Sequence, residues 1–270
     1  MRSSSCDKLD RLTAILKKIE SAVIAFSGGV DSTLLLKTAA ITGVRALAVT
    51  GYSPTMPEQD LCDAMELAKN IGADHRVIET SELHSRGFSD NPPDRCFYCK
   101  DELFGKLRDI SLSEGYGHVL DGSNTDDLGD WRPGRKAALK HGVRSPLIEA
   151  GLGKKEIREL SLGLNLPTWD RPSSPCLSSR FPYGEPITAE ALRCIEEAEK
   201  FLKSLGFREF RVRHHKDIAR IETVEGDFNK IFDPPVRAAV SRKFKSLGYK
   251  YIVLDLEGFR SGRLNDYLTK

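Results

Sequence analysis

The sequence predicts an α/β fold: a parallel sheet with helices on both faces, followed by a small C-terminal α+β domain. Three observations predict it. Short apolar runs alternate with helix-like segments through the first half, and a Gly-Gly turn joins the first run to the first long buried helix. Beyond a stretch rich in proline and serine, the order of elements changes. Alternation of this kind signals parallel strands, because a parallel neighbour is reached only by a long return connection, usually a helix.

Residues 21–26 (SAVIAF) read as the first strand and 31–40, with three consecutive leucines, as a buried helix. Residues 45–50 (RALAVT) give a second strand, and 57–70 a helix that opens on Pro57 and acids, as helix N-termini do. A third strand (75–78), a helix (101–113) and a fourth strand (118–121, HVLD) follow. Residues 131–145 are rich in Gly, Arg and Lys, and 154–164 form another helix. Residues 166–184 carry repeated prolines and serines and read as a loop and domain junction. Then come a helix (189–205), two strands (209–215 and 218–223), a helix (236–247) and a last strand (250–256). The expected domains are 1–180 and 181–270.

A 270-residue chain that is 40% hydrophobic has ample material for a core. The formal net charge of +2 gives no broad basic face, so a nucleic-acid partner is not expected. The first twelve residues are too polar for a signal peptide, and no apolar run reaches the roughly 20 residues of a membrane span. The expectation is a soluble, cytoplasmic protein. In a reducing compartment its six cysteines would be thiols, and a close pair would suit metal binding or redox work better than a staple.

The first chemical motif is Ser27-Gly28-Gly29-Val30-Asp31-Ser32, between a strand and a helix. Gly28 and Gly29 permit backbone torsions and a close approach that a Cβ would block. Successive N–H groups, reinforced by the helix N-terminus, then form a nest for phosphate. Ser27 and Ser32 offer hydroxyls, and Asp31 suits a Mg²⁺ ion that shields the phosphate charge. The loop lacks the lysine of a Walker motif, which argues against γ-phosphate transfer. The bland alternative is a tight turn with Asp31 as a capping acid.

This loop resembles that of the PP-loop (N-type) ATP pyrophosphatases, with the adenine nucleotide alpha hydrolase-like fold, which split ATP to AMP and pyrophosphate while activating an oxygen. The resemblance implies that residues 51–57, including Ser53, lie where adenine is held. It also implies that Asn124, within Asp121-Gly122-Ser123-Asn124-Thr125-Asp126-Asp127, faces the α-phosphate and metal.

The second motif is Cys96-Phe97-Tyr98-Cys99, preceded by Asp94 and Arg95. Such a pair binds zinc, binds an iron–sulfur cluster or cycles as a disulfide. Cys176, in the junction near Arg180, is a third thiol, and the positive charge would favour its thiolate. Cys62 and Cys194 fall in helical patterns and read as small packed residues, and Cys6 lies in a terminus expected to fray.

The order SGGVDS, NPPDRCFYCK, DDLGDWRPG, SPCLSSRFPYG and GFRSG resembles the LarE family of pyridinium-3,5-biscarboxylic acid mononucleotide sulfurtransferases over nearly the whole chain. The resemblance implies ATP-dependent adenylation of a substrate carboxylate and its conversion to a thiocarboxylate in nickel-pincer cofactor biosynthesis. It implies Cys176 and Asp31 as catalytic residues, and a [4Fe–4S] cluster on Cys96, Cys99 and Cys176 carrying the sulfide. In other members the cysteine matching Cys176 gives up its own sulfur. Three-thiolate zinc is the competing metal reading.

Arg211 and Arg213 alternate on one strand and so share a face, well suited to phosphate or carboxylate. With Arg95, Ser179 and Arg180 they are the expected substrate-binding set. Glu199 and Glu222 are candidates for the family's auxiliary acidic metal sites. The expected partners are ATP, Mg²⁺ and a small nucleotide substrate, in a homo-oligomer. Two other readings remain: a tRNA-thiolating PP-loop enzyme, and a non-catalytic nucleotide-binding module with structural zinc.

Overall fold

In the computed structural model, residues 4–129, 132–172, 174–260 and 263–264 are described. Asp130, Trp131, Ser173, Ser261 and Gly262, which belong to the motif segments, lie outside them. In chain order the elements are α1 (Ser4–Lys17), β1 (Ser21–Ala25), α2 (Val30–Thr42), β2 (Arg45–Tyr52), α3 (Glu58–Ile71) and β3 (Asp74–Glu79). Next come α4 (Arg86–Ser89), α5 (Arg95–Ser113), β4 (His118–Leu120), α6 (Gly134–Lys140), α7 (Pro146–Glu149) and α8 (Lys154–Gly163). The chain closes with α9 (Ala189–Ser204), β5 (Phe210–His215), β6 (Ile218–Thr223), α10 (Phe228–Phe232), α11 (Pro234–Ser246) and β7 (Tyr251–Leu254). The chain divides into two compact units, 1–85 with 94–174, and 86–93 with 175–270.

The first unit holds a four-stranded sheet in the order β3-β2-β1-β4, parallel throughout. In β1, Ala22 and Ile24 pack with Leu12, Leu16, Leu34, Leu35 and Ile157 on one face. Val23 packs with Leu47, Val49, Phe104 and Leu107 on the other. A strand covered on both faces has no polar side, which is why residues 21–26 read as one apolar run. The unusually apolar α2 fits the same account, being sandwiched between the sheet and α1 and α8.

The second unit holds a three-stranded sheet in the order β5-β6-β7. β5 and β6 are antiparallel, while β6 and β7 are parallel and joined through α10 and α11. Val212, Ala219 and Ile221 pack on one face with Leu202, Phe244 and Tyr249. The opposite face carries Arg211 and Arg213, in register with Glu222 and Arg220.

Three expectations need correction. The N-terminus does not fray from Cys6 onward: Ser4–Lys17 is a helix, anchored by Leu12 and Leu16, both fully buried. α5 begins at Arg95, six residues before the expected start, so Cys96 and Cys99 lie on a helix. Cys62 is exposed on α3 and is not a packed residue, whereas Cys194 is half-buried against the second core. None of the six cysteines forms a disulfide.

Candidate active site

The phosphate loop starts where β1 ends and α2 begins. Gly28 has φ +68°, and a Cβ there would lie 3.1 Å from the Cα of Ala64 on α3. Both facts require glycine: the torsion is left-handed and the floor is backbone. Ser27 Oγ lies 3.2 Å from Ser32 Oγ and accepts from Gly29 N at 3.4 Å, so the two hydroxyls close the turn on each other. Val30 contributes only backbone to the loop, since its side chain is in the core. Substituting Gly28 with alanine should cost about 1–3 kcal/mol, the usual range for a strained backbone torsion. Urea midpoints and nucleotide calorimetry on the Gly28→Ala protein check this: stability and ATP binding should fall together.

Asp31 stands in the first turn of α2. Its Oδ1 accepts from Asn124 Nδ2 at 3.3 Å and its Oδ2 from Lys154 Nζ at 2.5 Å. Asn124 caps the short turn 125–128, accepting from Asp126 N, and is buried. Behind it, Gly122 approaches so closely that a Cβ would lie 2.9 Å from Ser32 N. Asp121 is held by Ser123 at 2.7 Å and Ser145 at 2.6 Å. Loop, Asn124 and Asp31 therefore form one constellation at the carboxyl ends of β1 and β4, where open parallel sheets place ligands.

Ser53, expected to hold the nucleotide, follows β2 and donates to Glu82 Oε1 at 2.5 Å, with Thr55 donating to the same oxygen at 2.9 Å. Its hydroxyl is committed to this buried carboxylate. Arg171 was not anticipated from sequence. It donates to Gly28 O at 3.4 Å and bridges Asp60 and Asp63 on α3, while Ser174 joins Asp60 at 2.8 Å. Lys154 was equally invisible, being 123 residues from its partner.

Arg95 opens α5 and is buried. Cys96 and Cys99 lie one turn apart on the same helix face, close to its N-terminus. Their thiols are of a kind that suits a thiophilic metal, and the expected set needs a third thiol besides this pair. Among the described residues, no group of three or more His, Cys, Asp or Glu side chains is gathered to hold a metal.

In the second unit, Cys176 is exposed and precedes the short turn 177–180. Arg180 Nη1 donates to the carbonyls of Pro175 and Cys176, at 2.6 and 3.2 Å. Its other edge forms a two-point pair with Glu199, at 3.0 and 2.8 Å. Glu199 also accepts from Val212 N at 3.0 Å. Arg213 donates to Ser179 O at 2.7 Å and to Glu222 at 2.9 Å, and Arg220 takes the other oxygen of Glu222 at 3.0 Å. Glu199 and Glu222, expected as metal acids, thus spend their oxygens on arginines. Burial, then the charges of Arg180 and Arg213, push the Arg211 guanidinium down to about 10. A cavity of about 180 Å³ opens between Arg180, Arg213, His215, Arg220 and Arg263.

His75, His214 and His215 titrate below the usual 6.5, chiefly because burial disfavours imidazolium. The unfolded chain therefore binds protons first as pH falls. The stabilisation is present above 6.5 and is lost as pH drops towards the folded-state values. The urea midpoint should be lower at about pH 5.5 than at about pH 7.5, before carboxylates contribute.

A parallel sheet whose first strand ends on SGGVDS, with a helix-borne aspartate and no lysine in the loop, defines a PP-loop nucleotide-binding protein. No family model matches the chain. It is 42% identical over 264 residues to the pyridinium-3,5-bisthiocarboxylic acid mononucleotide synthase of Lactiplantibacillus plantarum, spanning 96% of this chain and 94% of that one. It is 43% identical over 264 residues to an uncharacterized protein of Synechocystis sp., spanning 97% and 98%. An NH3-dependent NAD+ synthetase of Mannheimia succiniciproducens is 26% identical over 156 residues, 55% of this chain and 62% of its own. The chain belongs to the LarE family of pyridinium mononucleotide sulfurtransferases.

Proposed function

We propose that the protein adenylates a carboxylate of pyridinium-3,5-biscarboxylic acid mononucleotide with ATP and converts it to a thiocarboxylate. The observation that carries this reading is the phosphate constellation of Ser27 to Ser32, Asp31 and Asn124. A nest of N–H groups holds pyrophosphate, and Asp31 is a hard oxygen ligand of the kind Mg²⁺ shares with phosphates. The substrate carboxylate attacks the α-phosphorus, the bond to the β-phosphate oxygen breaks, and pyrophosphate leaves with the electron pair. A sulfur nucleophile then attacks the acyl carbon and AMP departs. One difficult displacement becomes two easier ones.

Arg211, Arg213 and Arg180 suit the phosphate and carboxylates of the substrate, with Glu199 and Glu222 orienting them. Arg95 and Ser179 complete the substrate-binding set, and Ser53 the nucleotide site. Cys96, Cys99 and Cys176 would hold the [4Fe–4S] cluster, which supplies an iron with an open position for sulfide. A second reading, with Cys176 giving up its own sulfur, is favoured by the exposure of that thiol on a backbone fixed by Arg180. The assembly expected is a homo-oligomer in the cytoplasm. Among the described residues no helix is long and apolar enough to cross a membrane.

The test is incubation with ATP, Mg²⁺ and the pyridinium mononucleotide, with chromatography of nucleotides. Substrate-dependent AMP is expected, and its absence sinks the reading. Iron and acid-labile sulfide analysis after anaerobic purification, with mass spectrometry of Cys176 after turnover, separates the two sulfur sources.

A further inference from the structure

A nest holds an anion only if its N–H groups point at it, and one peptide of this loop is set from behind. Arg171 Nη1 donates to Gly28 O at 3.4 Å, across 143 residues of sequence. The peptide is trans, so its N–H, that of Gly29, points the opposite way from the carbonyl. Gly29 N is exposed and makes a long 3.4 Å bond to Ser27 Oγ, which a stronger acceptor can replace. The next peptide is fixed locally, since Gly29 O accepts from Thr33 N at 2.9 Å and from Ser32 Oγ at 3.2 Å.

Arg171 has a built seat. Its Nη2 donates to Asp63 at 2.7 Å and to Asp60 at 3.0 Å, both on α3. Asp60, Asp63 and Ala64 share one helix face, so the face that forms the floor under Gly28 also anchors the arginine that holds its carbonyl. The backbone that carries Arg171 is held by other groups. Arg158 on α8 donates to the carbonyls of Trp169 and Arg171, each at 2.7 Å, and Ser174 Oγ donates to Asp60 at 2.8 Å.

Charge alone does not account for this arginine. With Asp60 and Asp63 it forms a trio of net charge −1, which does not attract phosphate. The three side chains are half-buried, where water screens ion pairs and their contribution to stability is small. What remains is the peptide. A peptide unit bonded at both ends is polarised, and a cationic donor on its oxygen strengthens its N–H as a donor.

Resting on the adenylation reading, we infer that Arg171 is a positioning residue for the phosphate loop. It holds the Gly28–Gly29 peptide with its N–H towards the incoming pyrophosphate and strengthens that donor without touching the nucleotide. When a phosphate oxygen takes the Gly29 N–H from Ser27, the Gly28 oxygen becomes a better acceptor and its bond to Arg171 shortens. Arg171 therefore acts on ligands that carry the β- and γ-phosphates and not on AMP.

That selectivity is a readout that a merely structural arginine would not give. Calorimetry on Arg171→Met, without the pyridinium substrate, should show magnesium pyrophosphate and ATP binding weakened by about three- to tenfold. This is less than the loss of a direct charged bond, because the effect passes through a peptide. AMP affinity should stay within about twofold of wild type, and Arg171→Lys should recover part of the pyrophosphate affinity. Adding Asp63→Asn to Arg171→Met relieves the like charges left on α3 and should not restore pyrophosphate binding. Unchanged pyrophosphate affinity in Arg171→Met, an equal loss for AMP, or full recovery on adding Asp63→Asn would each overturn the positioning role while leaving adenylation standing. Failure of the wild-type protein to bind magnesium pyrophosphate or ATP would overturn both. Wild-type protein that binds them, yet forms no substrate-dependent AMP, would overturn adenylation alone.

Discussion

Replacing Cys176 with alanine is expected to leave substrate-dependent AMP formation within a few-fold of wild type while thiocarboxylate disappears. The two proposed half-reactions use separate groups. In the proposed scheme adenylation uses the loop at Ser27 to Ser32, Asp31 and Asn124, which belong to the first unit, whereas Cys176 belongs to the second. Sulfur delivery needs the thiol in either reading, as cluster ligand or as donor. The substitution is also structurally mild. Cys176 is exposed, and its fixed part is the carbonyl, which accepts from Ser179 N at 3.0 Å and from Arg180 Nη1 at 3.2 Å. Alanine keeps both bonds, so the melting temperature should not move. In the absence of sulfur the acyl-adenylate hydrolyses, and ATP consumption should continue without sulfur product. Chromatographic measurement of AMP and thiocarboxylate in one reaction decides it: thiocarboxylate at the wild-type level removes Cys176 from the chemistry, and loss of both products places it in adenylation.

The sequence made the turn between β1 and α2 legible because it is local. The torsion of Gly28 and the helix start are encoded within six consecutive residues, and the strand–helix context is visible on both sides. Sheet and crossover helices were legible for a similar reason, since burial on two faces leaves a continuous apolar run such as SAVIAF. Lys154 and Arg171 were not. Each meets the loop through chain closure over more than a hundred residues, and a lysine or arginine at a helix start or in a proline-rich loop has no distinguishing local pattern. α1 escaped for another reason: its charged first turns mask the leucines that dock it, of which Leu12 and Leu16 are fully buried. The early start of α5 was hidden by Pro92 and Pro93, which suggest a loop up to the cysteines. The face shared by Arg211 and Arg213 did follow from alternation, but the destination of Glu222 did not, because strand pairing sets it.

Substituting Glu222 with leucine should destabilise the second unit by about 3–5 kcal/mol, the range for breaking a buried ion pair from one side. Glu222 is fully buried and accepts from Arg213 and Arg220 on separate oxygens. Without it, Arg213, 4% exposed, keeps Ser179 O as an acceptor but loses its counter-charge. It would do so beside Arg211, whose guanidinium burial and neighbouring charges already push down to about 10. Glu222→Gln should cost less, because the amide oxygen still accepts one arginine. Adding Arg213→Met to Glu222→Leu should restore much of the loss, since a buried pair replaced by apolar groups is often neutral. Urea unfolding of wild type, Glu222→Leu, Arg213→Met and the double variant closes the cycle that gives the coupling. A Glu222→Leu protein within about 1 kcal/mol of wild type would show that solvent screens this wall. The same series bears on substrate binding. If these arginines hold the substrate phosphate, phosphate supplies the counter-charge that leucine removed, and it should raise the midpoint of Glu222→Leu more than that of wild type. Equal shifts would assign the arginines to folding alone, with Glu222 their permanent partner and not a gate on the anion they receive.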